Sequence, residues 1–337
     1  TEKLDPTWRK KYENHFSQNF QRLKDPFILA NAVSIYLDKT FFSTYAINSN
    51  AYDVLLSPSQ VSFRKQGGCE DLANYCLFIL RSQGVATSFD YVPAWATSTG
   101  RHMWNTIIDK HGRRVSFTAV EKEIGKFKLK REPGKVIRFT YSKQPNTVAS
   151  CLSINEIPDS YMRSNNYIDV TDDYWKCSDI PSDLFPSTQK YAYITVFNGM
   201  QWRPIYFGGV KNNKTIFKNM ACGAIYLPMY YKDNKLLTAG YPILLKQNGT
   251  TDYLKTDRKN KIDIIIPEKD HYLIYRANKT YKLYYWDRKW ILKQIQSKRE
   301  LSFSNIPSNT LYILIPEYSK GKERPFTVHS DGTLLYW

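Results

Sequence analysis

The chain of 337 residues and 39.5 kDa carries 42% apolar and 23% charged residues. That is ordinary globular usage, and a chain of this mass buries about three quarters of its unfolded surface, which excludes disorder as its main state. Lys and Arg outnumber Asp and Glu 48 to 31, giving a net charge of +17 and a pI near 9.4, a preference for anionic partners that names none.

No apolar run reaches the roughly 20 residues of a membrane span, so none is expected. The densest basic stretch, 113–143, holds ten Lys and Arg against Glu121, Glu123 and Glu132. It matches no zinc-finger, basic-zipper or RRM pattern, so a solvated cationic face is expected there rather than a nucleic-acid site. Aromatic residues make up 15% of the chain, which favours pleated, half-buried surfaces and so a large β content. Five cysteines at irregular spacing, Cys69, Cys76, Cys151, Cys177 and Cys222, form neither a disulfide scaffold nor a CxxC zinc pair.

The N-terminal 90 residues read as helical. Trp8, Tyr12, Phe16, Phe20 and Leu23 recur at helical steps over 6–27, and a second helix is expected over 27–37. A third spans 69–80, with Cys69, Leu72, Ala73, Cys76, Leu77 and Leu80 on one stripe and Gly84 beyond its end. Strands follow at 88–92, 103–108 and 113–118, the last two joined by a turn at 109–112. Pro158, Pro181, Pro186 and a group of aspartates break any period between about 155 and 190. Beyond that point short alternating strands recur, punctuated at Asn198-Gly199, Asn212-Asn213, Asn248-Gly249 and Asp331-Gly332. The expected organisation is a core at 1–165, a linker at 166–190 and two sandwich-type β-modules at 191–265 and 266–337. The segments 193–202 and 281–290 echo each other: an aromatic strand, a polar turn, then Trp opening the return strand.

One place combines a nucleophile, a base and a means of bringing them together. Cys69 opens a helix, where unpaired N–H groups and the positive dipole end are expected to lower a thiol pKa and to hold an oxyanion. Gly67 and Gly68 allow close approach to the backbone. His102, after the 97–100 segment, is the candidate base.

The run Gly67-Gly68-Cys69-Glu70-Asp71-Leu72-Ala73, the helix end Arg81-Ser82-Gln83-Gly84-Val85 and the strand His102-Met103-Trp104-Asn105 resemble the transglutaminase-like superfamily. The resemblance implies an α+β fold with a papain/transglutaminase-like core followed by all-β modules, Cys69 as nucleophile and His102 as base. Gly68, Trp95 and Trp104 are the expected substrate-binding positions. The layout, down to Glu323-Arg324-Pro325-Phe326, also looks like secreted bacterial members. The chain opens at Thr1 with no signal-like segment, so export with prior processing, or a trimmed piece, is expected. In the family an Asp on the following strand orients the imidazole. Pairing Ile108 with Arg113 sets Thr118 at that position, and Glu121 is the nearest carboxylate that could replace it.

No pair among His15, His111, His271 and His329 has metal spacing, and Gly67-Gly68 lacks a phosphate-loop context, so no metal or cofactor is expected. Glu70 and Asp71 suit the helix dipole. Tyr230, Tyr231, Tyr284, Tyr285, Trp286 and Trp290 fit sandwich packing better than sugar stacking. The chain is therefore expected to perform thiol-dependent acyl chemistry on a peptide, protein or glycopeptide amide. The alternative is a catalytically silent scaffold that binds an envelope glycan or anionic polymer through its β-modules.

Overall fold

Asp25 accepts from the N–H groups of Phe27 (2.9 Å) and Ile28 (3.3 Å) with Pro26 at the first helical position, and so starts α2 (Pro26–Thr40) after α1 (Trp8–Phe20). The structure is a computed structural model and describes residues 6–20, 23–43, 56–269 and 273–337; His271, to which the sequence assigns no metal partner, lies outside these. After β1 (Phe42–Ser43), a Ser57/Gln60 capping box opens α3 (Pro58–Arg64), a helix the sequence reading omits. β2 (Gln66–Gly67) pairs with β1 and leads into α4 (Cys69–Ser82). Leu72, Cys76, Ile79 and Leu80 of α4 are buried against Phe16, Leu29, Val33 and Val61 from the other three helices.

A five-stranded antiparallel sheet backs this helical layer: β3 (Thr87–Val92), β4 (His102–Ile108), β5 (Arg114–Phe117), β6 (Ile137–Phe139) and β7 (Tyr167–Asp169), in the order β5-β4-β3-β6-β7. Alternation along β4 divides its side chains between two layers. Asn105 and Ile107 face α4; His102, Trp104 and Thr106 face an aromatic layer of Trp95, Phe127 and Tyr174. The register corrects an expectation. Ile108 pairs with Arg114 rather than Arg113, because the Asp109 carboxylate takes the N–H groups of His111 and Arg113 (2.8 Å each) and keeps Arg113 in the turn.

The expected linker at 166–190 carries two ladder strands instead. β7 closes the first sheet and β8 (Cys177–Asp183) pairs with β11 of the middle module. Pro181 is accommodated because β8 has a ladder partner on one side only. The middle module continues with β9 (Tyr191–Asn198), β10 (Gln201–Gly209), β11 (Lys214–Ala221), β12 (Ala224–Lys232), β13 (Lys235–Thr238), β14 (Ile243–Leu245) and β15 (Thr251–Tyr253). A β10-β9-β12-β14-β15 sheet, with β13 also on β12, shares a core of Ile180, Ile194, Val196, Phe217, Tyr226 and Ile243 with the β8/β11 pair.

The last module begins near 257 rather than 266. β16 (Asp257–Ile266) pairs with β19 (Leu301–Ser308). It packs on the β18-β17-β20-β21-β22 sheet formed by β17 (Tyr281–Trp286), β18 (Trp290–Gln296), β20 (Tyr312–Pro316), β21 (Phe326–Val328) and β22 (Leu334–Tyr336). The two echoing segments are the β9/β10 and β17/β18 hairpins. Their rings meet where the modules join: Phe197 lies 5.3 Å from Trp202 and 5.7 Å from Trp290, and Trp286 lies 5.4 Å from Trp202. Among the described residues no helix is long and apolar enough to cross a membrane.

Candidate active site

The tip of α4 is built by Asp71. Its carboxylate accepts from Gly68 N–H (2.9 Å) and Leu56 N–H (2.8 Å), closing the helix start that Gly68 itself, lacking a side chain, cannot cap. A Cβ on Gly67 would lie 2.8 Å from Asp71 Cβ. The glycine at 67 therefore makes room for this cap. Gly68 has an ordinary φ of −72° and only ordinary contact distances around an added Cβ.

Three contacts in succession lay the Cys69 segment along the His102 segment. The Arg101 guanidinium pairs with both Glu70 carboxylate oxygens (2.5 and 3.0 Å). The backbone N–H of Met103, the residue after His102, donates to the half-buried Cys69 sulfur, as does that of Glu70. Asn105 Nδ2 donates to the Ala73 carbonyl (2.9 Å). The sulfur thus lies against the His102–Met103 peptide at the start of β4, beside the residue that carries the imidazole. Its ring is stacked with Trp95 (6.1 Å between centroids) and tilted against Trp104 (5.5 Å).

The electrostatics correct the expectation of a thiol activated by the helix dipole. Burial pushes the Cys69 thiol above its ordinary 9.0; the Met103 and Glu70 N–H groups oppose this, and the Glu70 charge adds to it. Burial, helped by the Arg131 charge, pushes His102 below 6.5. Both shifts favour the neutral forms, so the resting state is thiol plus neutral imidazole. Tyr91, on the same side of the sheet as the thiol, is pushed up to about 12, by burial first and then by Glu70.

The other expected site residues are placed as follows. β5 ends at Phe117, and extending its register sets Thr118 opposite Trp104 and Val120 opposite His102. Thr118 donates its hydroxyl and N–H to the Glu121 carboxylate. The Ser34 hydroxyl ties this turn to α2 through the Thr118 carbonyl (3.4 Å) and the Glu121 carbonyl (2.8 Å) and N–H (2.9 Å). Thr118 and Glu121 hold each other, and among the described residues no side-chain hydrogen bond holds the His102 ring. Trp104 is fully buried, its indole N–H donating to Tyr174 (3.1 Å), so it is a wall behind His102 and not the substrate contact expected of it. Trp95 is 8% exposed and covers the imidazole.

Behind this wall lies a buried carboxylate that the sequence reading does not single out. Asp90 takes two hydrogen bonds from Arg138 (2.7 and 2.6 Å), one from Thr106 (2.9 Å) and one from Tyr174. An aspartate at a core-facing position of a strand was its signal. Glu70 and Arg101 were also legible as opposite charges flanking the two expected reactants. Among the described residues no group of His, Cys, Asp and Glu could hold a metal ion.

Fold and site together define an α+β protein with a thiol at a helix tip laid against an imidazole-bearing strand. No family model and no curated protein matches the chain. Among solved structures, a match is found to one described as a putative cysteine protease from Cytophaga hutchinsonii, at 13% identity and TM-score 0.29. It covers 34% of this chain and 38% of that one, a likeness that defines neither fold nor function.

Proposed function

We propose that the N-terminal unit has a papain/transglutaminase-like core and performs thiol-dependent acyl transfer from an amide, with Cys69 as nucleophile and His102 as base. The observation that carries this reading is the alignment of 69–73 with 101–105 through Glu70–Arg101, Cys69–Met103 and Ala73–Asn105. From the neutral resting pair, the Cys69 sulfur attacks the carbonyl as its proton passes to His102. The imidazolium returns that proton to the leaving amine, and water or a second amine resolves the thioester. The N–H groups of Met103 and Glu70 are the donors nearest the developing oxyanion. A general base acting from the neutral state needs no pre-formed ion pair, and His102 with a lowered pKa is unprotonated at neutral pH.

A second reading, a catalytically silent scaffold, is favoured by one observation: Thr118 and Glu121 bond to each other and leave His102 without an orienting carboxylate. Loss of that carboxylate costs a comparable triad about four orders of magnitude. The test is labelling by a peptidyl acyloxymethyl ketone in the wild type, Cys69→Ala and His102→Ala. The enzyme reading expects labelling to vanish in the first variant and fall sharply in the second; equal labelling of wild type and Cys69→Ala removes it. Export remains part of the proposal, tested by locating the protein in fractionated cells of its source.

A further inference from the structure

The loop 95–100 lies between β3 and β4 and carries at its two ends what surrounds His102: the Trp95 ring on the imidazole, and Gly100 two residues before it. Trp95 N–H donates to the Gly100 carbonyl (3.1 Å), closing the loop on itself. The carbonyls of Trp95, Ala96, Ser98 and Gly100 are received by two buried side chains from the β-modules. Asn198, at the end of β9 and 4% exposed, donates through Nδ2 to the carbonyls of Trp95 (3.0 Å), Ser98 (3.0 Å) and Gly100 (2.9 Å) and accepts Gly100 N–H at Oδ1 (3.1 Å). Arg324, just before β21 and 8% exposed, donates to the carbonyls of Ala96 (2.5 Å) and Ser98 (3.2 Å), to that of Phe197 beside Asn198, and to that of Trp337.

We infer that Asn198 and Arg324, one from each β-module, are positioning residues that fix the 95–100 loop and through it the His102 ring, so that the β-modules are part of the active apparatus rather than appendages. The chemistry is that of a splint. Four carbonyls in a six-residue loop need donors once water is excluded, and an amide and a guanidinium supply them from rigid strands with fixed geometry. A loop held in this way keeps an imidazole within the few tenths of an ångström that proton transfer requires. The Thr97 hydroxyl to Glu132 (2.6 Å), Arg131 to the Ser98 hydroxyl (2.8 Å) and Ala96 N–H to the Glu132 carbonyl (3.0 Å) hold the loop from its own unit, but they leave the carbonyls of Trp95, Ala96 and Ser98 to the modules.

The kinetic part of this inference rests on the proposed roles of Cys69 and His102; the geometric part does not. The experiment therefore has two arms, run on the full chain for Arg324→Met, Arg324→Lys and Asn198→Ser. In the first, histidine-labelled protein is titrated by NMR. Loss of the splint is expected to move the ring-current-shifted His102 resonances toward those of free histidine and to raise its titration midpoint. Arg324→Lys should fall between wild type and Arg324→Met, since one ammonium cannot reach Ala96, Ser98 and Phe197 together. In the second, the rate of Cys69 labelling by the acyloxymethyl ketone is expected to drop about tenfold or more. Unchanged His102 shifts and midpoint in folded variants overturn the inference. If Arg324→Met fails to fold, Arg324→Lys and Asn198→Ser decide by the same readings. Equal labelling of wild type and Cys69→Ala would instead remove the enzyme reading while the NMR arm still stands or falls by itself.

Discussion

The resting protonation state of the site is open to a direct kinetic test, the pH dependence of Cys69 alkylation by iodoacetamide. Only the thiolate reacts. With the thiol held above 9.0 and His102 below 6.5, no ion pair forms near neutrality, and the thiolate fraction climbs tenfold per pH unit. Between pH 6 and pH 8 the rate should rise about 100-fold, with an inflection above 9. A thiolate–imidazolium pair with a thiol pKa near 3–4 would give a flat profile over the same range. The shape decides and not the absolute rate, because a low-pKa thiolate is also a weaker nucleophile and the two effects largely offset. His102→Ala should change the alkylation rate at pH 7 by less than about twofold, since the imidazole stabilises no thiolate in the resting state. Peptide-resolved mass spectrometry separates Cys69 from the exposed Cys151, which serves as internal reference, while Cys76 and Cys222 are buried. A rate that changes less than about threefold from pH 6 to pH 8, or a collapse in His102→Ala, would refute the reasoning.

Three further outcomes follow from the packing. Asp90→Asn removes a fully buried charge from Arg138 and should cost about 3–5 kcal/mol in urea unfolding, while Glu123→Gln, on an exposed ion pair with Lys126, should cost less than about 1 kcal/mol. Gly67→Ala drives a Cβ to 2.8 Å from Asp71 Cβ and should cost about 1–3 kcal/mol; Gly68→Ala should cost under about 1 kcal/mol, and the reverse order in thermal melts would show that the Asp71 cap is misread. Trp286→Ala empties the ring cluster between the two β-modules and should cost about 3–5 kcal/mol in thermal melts.

α1, α2 and α4 were readable because an amphipathic stripe and its terminating Pro or Gly act within a few residues; the seven-residue α3 was not. The hairpin carrying His102 was readable too, but its register was not. The Asp109 side chain captures two N–H groups in the turn and shifts the pairing by one, which moves Thr118 from opposite Met103, beside His102, to opposite Trp104. A helix N-terminus read alone suggests an activated thiol. The opposing burial comes from β3 and β4, which pack against the tip only in the tertiary structure. β8 was hidden because a strand with one ladder neighbour tolerates Pro181 and carries little alternation. Asn198 and Arg324 reach the 95–100 loop across sequence separations of about 100 and 226 residues, and no local pattern encodes such contacts.

The splint has a consequence for the order of events on the ribosome. Ser98 and the arginine that grips its carbonyl are 226 residues apart, so at about 5–20 residues per second the nascent chain exposes the thiol segment roughly 10–50 s before Arg324 is made. Asn198, 100 residues after Ser98, is made roughly 5–20 s into that interval, so the loop beside His102 gains its first grip before its second. The protein therefore matures from its N-terminal end but sets its imidazole last, when the final module docks.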